Sequence, residues 1–330
     1  MNTTMTIPKT VRVGSLSISP PLILAPMAEY THSAFRRLLS EQGGYGALFT
    51  EMLSGTALHS ENLLTSPYTK RGKDEGPVLY QLQISGQENL EAIFSKLKTV
   101  QPDGIDINLG CPAPDIKKRK SGTALFDDFE RLRKTLHTCR ELWSGPLTIK
   151  CRLGDGKLGW EERFTRRLAL FEECKIDAIT LHPRFSDEKL KRNARWNIFP
   201  WVVSQTGIPL IANGDIRSQR DVQKLLPDSG CKAVMIGRMA IMKPWIFKEI
   251  CGESFCADYH QTWNKFCRYT IEDFGEEKAL RKIKKFTLFF SQNFFFDHHF
   301  FTLINTASDL KTVLERAETF LQSNPKRSLF

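Results

Sequence analysis

The sequence predicts a (β/α)8 TIM barrel followed by a small C-terminal all-helical domain. Three observations predict it. Eight short apolar runs of strand length recur through residues 1–250, helical patterns separate them, and after about Gly252 the strand signals stop while helical patterns continue. The runs are continuous rather than alternating, which suits parallel strands buried on both faces. Eight strand-then-helix units over ~250 residues is the arithmetic of a TIM barrel. A doubly wound sheet is the competitor, but it usually carries G-x-G-x-x-G after its first strand, and none stands there. The expected division is a barrel over 1–250 and a helical domain over 251–330.

Taken in order, strands are expected near Leu22–Ala25, Ala47–Glu51, Val78–Ile84, Ile105–Asn108, Leu147–Cys151, Ala178–His182, Pro209–Ala212 and Ala233–Ile236. Helical patterns between them include Ser33–Glu41, Glu88–Val100, Phe129–Leu142 and Ser218–Leu226, with Asp127 and Ser218 as N-caps. In the tail, Trp263, Phe266, Tyr269 and Ile271 begin one helix, a second runs through Lys278–Phe290 and a third through Thr306–Leu321. Phe289-Phe290 and Phe294-Phe295-Phe296 bracket a turn. Most of these aromatic side chains are expected in the core of a small domain.

Composition narrows the function classes. With 330 residues, 41% of them hydrophobic, the chain can bury one large core plus a smaller unit. No apolar run approaches the ~18 residues that would span a bilayer, and Met1–Thr10 lacks the apolar stretch of a secretory signal. A cytoplasmic location is therefore expected. The eight cysteines form no C-x-x-C pair and fit neither a zinc site nor a disulfide framework, so no metal is expected, and all but Cys111 read as small buried hydrophobes.

The net charge of +10 makes a polyanionic partner plausible, and its clustering matters more than its size. Four basic groups stand out: Lys117-Lys118-Arg119-Lys120; Arg163, Arg166 and Arg167; Lys189, Lys191, Arg192 and Arg195; and Arg281, Lys282, Lys284 and Lys285. Each alone reads equally well as a solvated face. Together they favour a nucleic-acid surface.

In a TIM barrel the chemistry sits at the C-terminal strand ends, and each expected strand here ends in a special residue. Asp106-Ile107-Asn108-Leu109-Gly110-Cys111-Pro112 places one thiol at a strand mouth on a stiff turn. Asn213-Gly214-Asp215 and Gly237-Arg238 follow the seventh and eighth strands, where TIM barrels commonly bind a phosphate. Glycine lets the backbone approach a ligand, and Arg238 can fork onto phosphate oxygens; as turns, both segments are also ordinary punctuation. Lys150 points from a strand end into the cavity, where a buried ammonium is costly unless it meets an anion or an electron-rich ring. Its alternative is an ion pair with Asp106 or Glu51. His182 either hydrogen-bonds a ligand or is a satisfied core histidine.

The segments LAPMAEYTHSAFRRL, FTEML, DINLGCPAP, TIKCRLG, ITLHPR, IANGDI and VMIGRMAIMKPWIF occur in this order. As a set they resemble the tRNA-dihydrouridine synthases, FMN-dependent enzymes, over nearly the whole barrel. The helical tail matches that family's RNA-binding domain in position. The resemblance implies reduction of uridine in tRNA to 5,6-dihydrouridine, with NADPH as reductant. It implies hydride delivery to carbon 6 and Cys111 as the acid that protonates carbon 5. Reducing a carbon–carbon double bond needs both hydride and proton, and in that role the thiol begins protonated.

The same resemblance assigns FMN contacts to Pro26, Met27, Gln81, Lys150, His182, Asn213, Asp215, Gly237 and Arg238. It sets Asn108 near the reacting base and Arg152 and Arg184 at an RNA-facing mouth, with Arg281 and Lys285 on the RNA backbone. A monomer is favoured, and ribosomal RNA stands as the alternative to tRNA. The chain departs from the family pattern at Gln81-Leu82-Gln83, where a Gly usually follows soon after Gln, and at Pro183 and Phe185. It departs again at Lys120 and Thr123, which replace a usual Gly and Ser.

Two other functions compete. An FMN barrel acting on a free pyrimidine, like the dihydroorotate dehydrogenases, has no need of the basic segment Arg281–Lys285. An RNA-binding protein with a barrel that no longer turns over has no need of Cys111, Lys150 and His182.

Overall fold

A computed structural model describes residues 9–188, 192–253 and 255–328. Lys189 and Lys191 of the third basic group lie outside the described residues. The chain opens with an antiparallel hairpin of β1 (Val11–Val13) and β2 (Leu16–Ile18). Eight parallel strands follow: β3 (Leu22–Leu24), β4 (Leu48–Ser54), β5 (Val78–Gln83), β6 (Gly104–Leu109), β7 (Leu147–Arg152), β8 (Ala178–His182), β9 (Leu210–Asn213) and β10 (Ala233–Ile236). Their order is β3-β10-β9-β8-β7-β6-β5-β4, and a parallel bridge from Ile23 to Ala47 nearly closes the ring between β3 and the start of β4. The expected TIM barrel is present, and each predicted strand overlaps an observed one.

The barrel interior changes character along its axis, and the alternation of side chains in each strand causes it. Ile105, Ile107, Leu109, Ile149, Cys151, Ile179 and Leu181 belong to the core shared with the helices. Ile23, Phe49, Leu79, Ala178, Ile211 and Ala233 form a second apolar cluster with Val11, Val13 and Ile18 of the hairpin. The hairpin thus plugs the N-terminal end of the barrel. One or two inward positions further along, the lining turns polar: Gln81, Asp106, Asn108, Thr148, Lys150, Thr180, His182 and Asn213. The polar half faces the C-terminal mouth.

The helix N-caps show one agreement and one correction. Ser218 caps Gln219–Ser229 by accepting from the Asp221 amide. The cap expected at Asp127 is made by Asp128, which accepts from the Arg131 amide. Either aspartate satisfies the composition rule, and the β conformation at Asp128 decides.

The tail is helical from Tyr259 onward. Tyr259–Phe290 is broken at Gly275 (φ 69°, ψ 167°), so the first two expected helices are present but abut at a kink. Two corrections follow. The expected turn is a short 3-10 turn at Ser291–Asn293 but is followed by an unexpected helix, Asp297–Asn305, and the last helix is Leu310–Gln322, capped by Asp309. The tail aromatics are mostly buried, as expected, although Phe295 and Phe296 are exposed. Phe266 stacks on Phe286 at 3.9 Å, and both pack on Phe35 of the helix Ser33–Gln42. One apolar cluster therefore runs from the barrel into the tail. Among the described residues no helix is long and apolar enough to cross a membrane.

Candidate active site

A cavity of about 510 Å³ opens at the C-terminal ends of β3, β7, β8, β9 and β10. Pro26, Met27, Lys150, His182, Asn213, Asp215, Gly237 and Arg238 line it, so eight of the nine expected FMN contacts come together in one wall. Met235, Met239, Met242 and Phe289 supply apolar surface. The charges are lopsided: Lys150, Arg184, Arg217 and Arg238 against Asp215 alone. Gly237 lies against this wall, where an added Cβ would make only ordinary contact with Met27 Sδ, at 3.4 Å.

Lys150 forms no ion pair with Asp106 or Glu51; its ammonium has no carboxylate partner within 4.0 Å among the described residues. Burial pulls its pKa down to about 8, with Arg152 adding to the effect. His182 accepts from Arg184 at Nε2 (2.6 Å), which leaves its proton on Nδ1. Burial and the surrounding cations hold the ring neutral, well below the usual imidazole range. Asn213 is tied to the Met235 carbonyl at 2.8 Å.

Gln81 lies beneath the cavity rather than in its wall. It is fully buried, its Nε2 donates to Asp106 (2.7 Å), and its Oε1 accepts from Asn108 Nδ2 (2.8 Å). Thr148 also donates to Asp106, at 2.6 Å. Asn108 Oδ1 in turn accepts from the amides of Gly110 (3.2 Å) and Cys111 (3.1 Å). A polar relay thus runs from Thr148 through Asp106 and Gln81 to the backbone that carries the thiol. Burial pushes Asp106 up to about 6. Cys111 is partly exposed, outside the wall of the large cavity, and its carbonyl is held by the Thr123 amide (3.1 Å). Of the other cysteines, Cys139, Cys151, Cys174, Cys231 and Cys267 are buried as expected. Cys251 and Cys256 are exposed, which corrects that expectation; both flank the junction into the tail.

The residues assigned to RNA are arranged differently from expectation. Arg184 is 2% exposed and lines the cavity. Its guanidinium is used by Asp215, His182 and the Arg192 carbonyl, so it stands in the cavity wall, not at an RNA-facing mouth. Arg152 is also buried and donates to the Phe185 carbonyl at 3.1 Å. Arg281 and Lys285 converge with Lys282 on the Glu29 carboxylate, at 3.4, 3.2 and 3.5 Å. Arg281 remains 67% exposed, whereas Lys282 is 2% exposed.

Elsewhere in the basic groups, Arg167 is buried on the Phe126 carbonyl, Arg163 pairs with Asp155 and Arg195 with Glu188. The expectation of four exposed basic faces is corrected: Lys117, Lys118, Arg119 and Lys120 are the group that is exposed throughout and makes no ion pair among the described residues. This group directly follows the Cys111 turn.

Glu29 and Glu51 went unnoticed in the sequence as site residues. Glu29 adopts φ 72°, and its amide donates to Glu51 at 2.7 Å. Burial pushes Glu51 up to about 7. A carboxyl that binds its proton more tightly folded than unfolded stabilises the fold fully below its unfolded value of 4.5, and that contribution is lost as pH rises through about 7. Glu51→Gln is therefore expected to flatten the fall in stability between pH 5 and 8, by up to about 3 kcal/mol. Urea midpoints at the two pH values check it; an unchanged slope would assign the pH dependence elsewhere.

The backbone also explains one departure from the family pattern. Lys120, where a glycine is usual, has φ 56°. A left-handed conformation costs an L-residue about 1–2 kcal/mol, part of which the flexibility of unfolded glycine offsets. Lys120→Gly is expected to stabilise the protein by roughly 0.5–1 kcal/mol, read as a higher urea midpoint with unchanged slope.

Comparison with known proteins decides the family. The family model for dihydrouridine synthase (Dus) matches residues 23–324. The chain belongs to the dihydrouridine synthase family. Among its relatives, tRNA-dihydrouridine synthase B of Escherichia coli (strain K12) is 28% identical over 327 residues, covering 95% of this chain and 99% of the relative. The probable tRNA-dihydrouridine synthase of Aquifex aeolicus is 30% identical over 233 residues, 69% of this chain and 72% of its own length. The fold is also that of the old yellow enzyme from Trypanosoma cruzi, with a TM-score of 0.54 at 10% identity, over 76% of this chain and 93% of that one. In this dihydrouridine synthase family member the large cavity opens at the polar end of the barrel.

Proposed function

We propose that this protein reduces uridine in tRNA to 5,6-dihydrouridine, with FMN held in the large cavity and NADPH as the electron donor. The observation that carries the reading is the Lys150 ammonium, half-buried and unpaired by any carboxylate among the described residues, in a cavity with four cations and one carboxylate. That donor set fits an anionic cofactor: a phosphate and a ring that gains negative charge on reduction. The volume of about 510 Å³ lies within the range of ligand pockets, ~300–1,000 Å³.

In this reading Arg238 and Arg217, beside Gly214 and Gly237, would hold the phosphate. Lys150 and neutral His182 would face the ring, and Pro26, Met27 and Asn213 would complete the wall. Bound there, FMN supplies the hydride that goes to carbon 6 of the uracil. Asn108 orients the Cys111 backbone through its two amide bonds, and the Cys111 thiol gives its proton to carbon 5. The sulfur is left as a thiolate. The target base must leave its stack to reach this depth. The exposed Lys117, Lys118 and Lys120, with Arg281, draw in the phosphate backbone. Asp215 acts indirectly in this account, as the carboxylate that fixes Arg184 and pairs loosely with Arg238 at 3.5 Å.

The purified protein tests the reading. It should be yellow, release FMN on denaturation, bleach with NADPH under anaerobic conditions, and form dihydrouridine in unmodified tRNA. A colourless protein that binds tRNA without reacting would overturn it. Because the tail shares the barrel's apolar cluster, this test uses the full chain.

A further inference from the structure

A second groove, of about 300 Å³, opens at the same end of the barrel, on the β4–β5 side. Ser54 and Gln83, the last residues of β4 and β5, form its floor, with Ser85, Gln87, Arg119 and Ser121 around it. Its position ties it to the Cys111 turn. Gly122, next to Ser121, has φ 61° and sits so close that an added Cβ would lie 2.6 Å from the Cys111 carbonyl oxygen.

The chemistry of this groove differs from that of the large cavity. Around the large cavity Arg184 and Asp215 are tied to each other, and four cations face one carboxylate. In the groove, the side-chain heads of Gln83, Gln87 and Arg119 have no hydrogen-bond or ion-pair partner among the described residues. Glu88 is the groove's one carboxylate, and it is already spent. It accepts from the Ser85 amide (3.0 Å), the Ser85 hydroxyl (3.1 Å) and the Gly86 amide (3.0 Å). What the groove offers a ligand is therefore two carboxamides, hydroxyls and one guanidinium.

A phosphate site would gather several cations, as the large cavity does. Carboxamides instead present a donor and an acceptor side by side, the pattern that matches a nucleobase edge, and a guanidinium plane can stack on the base.

We infer that this groove is a subsite for an unstacked nucleobase adjacent to the reacting uridine. Gln83 and Gln87 hydrogen-bond the base edge and Arg119 covers its face. The inference rests on the proposed RNA substrate and adds a determinant of which uridine is chosen.

The test uses the full-length FMN-loaded protein, fluorescently labelled unmodified tRNA, and two tRNAs carrying an abasic site on either side of the reacting uridine. Gln83→Leu and Arg119→Ala are each expected to weaken tRNA binding about 10-fold, with flavin reduction by NADPH unchanged. Against one of the two abasic tRNAs the parent should lose a similar factor, and the variants should then bind no worse than the parent. Binding that changes less than 2-fold, or a loss that persists on both abasic tRNAs, overturns the subsite. Dihydrouridine formation by the parent is read separately, so failure of the reaction and failure of the subsite give different results.

Discussion

Replacing Cys111 with alanine is expected to lower dihydrouridine formation by roughly 10²–10⁴-fold, the range a general acid contributes. FMN content and its reduction by NADPH should be unaffected. The reason is positional: Cys111 lies outside the wall of the large cavity, while its amide and carbonyl are fixed by Asn108 and Thr123. Removing the sulfur leaves the turn and the cofactor wall intact. Single-turnover reaction of the reduced enzyme with tRNA isolates the step. A variant that reacts at the parental rate would remove Cys111 from the proton transfer.

The second large effect is expected at Lys150, and it has opposite signs in two measurements. Lys150→Met removes a half-buried, cavity-lining ammonium that no carboxylate partners among the described residues. The cofactor-free protein should become more stable by roughly 1 kcal/mol, because an unpaired charge held partly out of water is costly and the open cavity screens part of that cost. The gain should be full below about pH 8 and shrink as pH rises toward 10.5, since the folded lysine loses its proton first. At the same time FMN should bind at least about 10-fold more weakly and be reduced more slowly. Methionine close to the lysine in length keeps the packing comparable. A variant that is both less stable and fully loaded with FMN would place the anion elsewhere.

The extent to which these residues were legible in the sequence follows from the range of the interactions that hold them. The eight barrel strands were readable because each is a local run buried on both faces. Within a strand, alternation puts Thr148, Lys150 and Arg152 on the inner face without further information. The hairpin Val11–Ile18 was missed because its two three-residue strands alternate buried and exposed positions too briefly to show a period, whereas the equally short β3 is apolar at every position.

The family resemblance places Arg184 at an RNA-facing mouth. Its burial comes from Asp215, 31 positions away, which the sequence does not pair with it. The resemblance likewise gives Gln81 to the cofactor, while its partners Asp106 and Asn108 lie 25 and 27 positions on. The clamp of Glu29 on Arg281 spans 252 positions. Its local signal was equally weak, since a left-handed glutamate looks like any other glutamate in sequence.

The tail illustrates the same point for domains. A change of texture near Gly252 marked where strands end. It did not reveal that Phe35, Phe266 and Phe286 join barrel and tail into one apolar cluster. Tyr30 and Phe289 make a ring contact at 5.6 Å, and Phe289 also lines the large cavity. The basic helix and the cofactor wall are therefore in direct mechanical contact, which is why substitutions rather than truncation test the role of the tail.

The most direct test of the central claim is nucleoside mass spectrometry on RNA from cells with and without this gene, with transfer and ribosomal RNA digested separately. The account predicts that dihydrouridine falls in the transfer RNA fraction of the deleted strain. It should be restored by the parental gene and not by Cys111→Ala. Unchanged dihydrouridine in transfer RNA, in a strain with no second gene of this family, would contradict it.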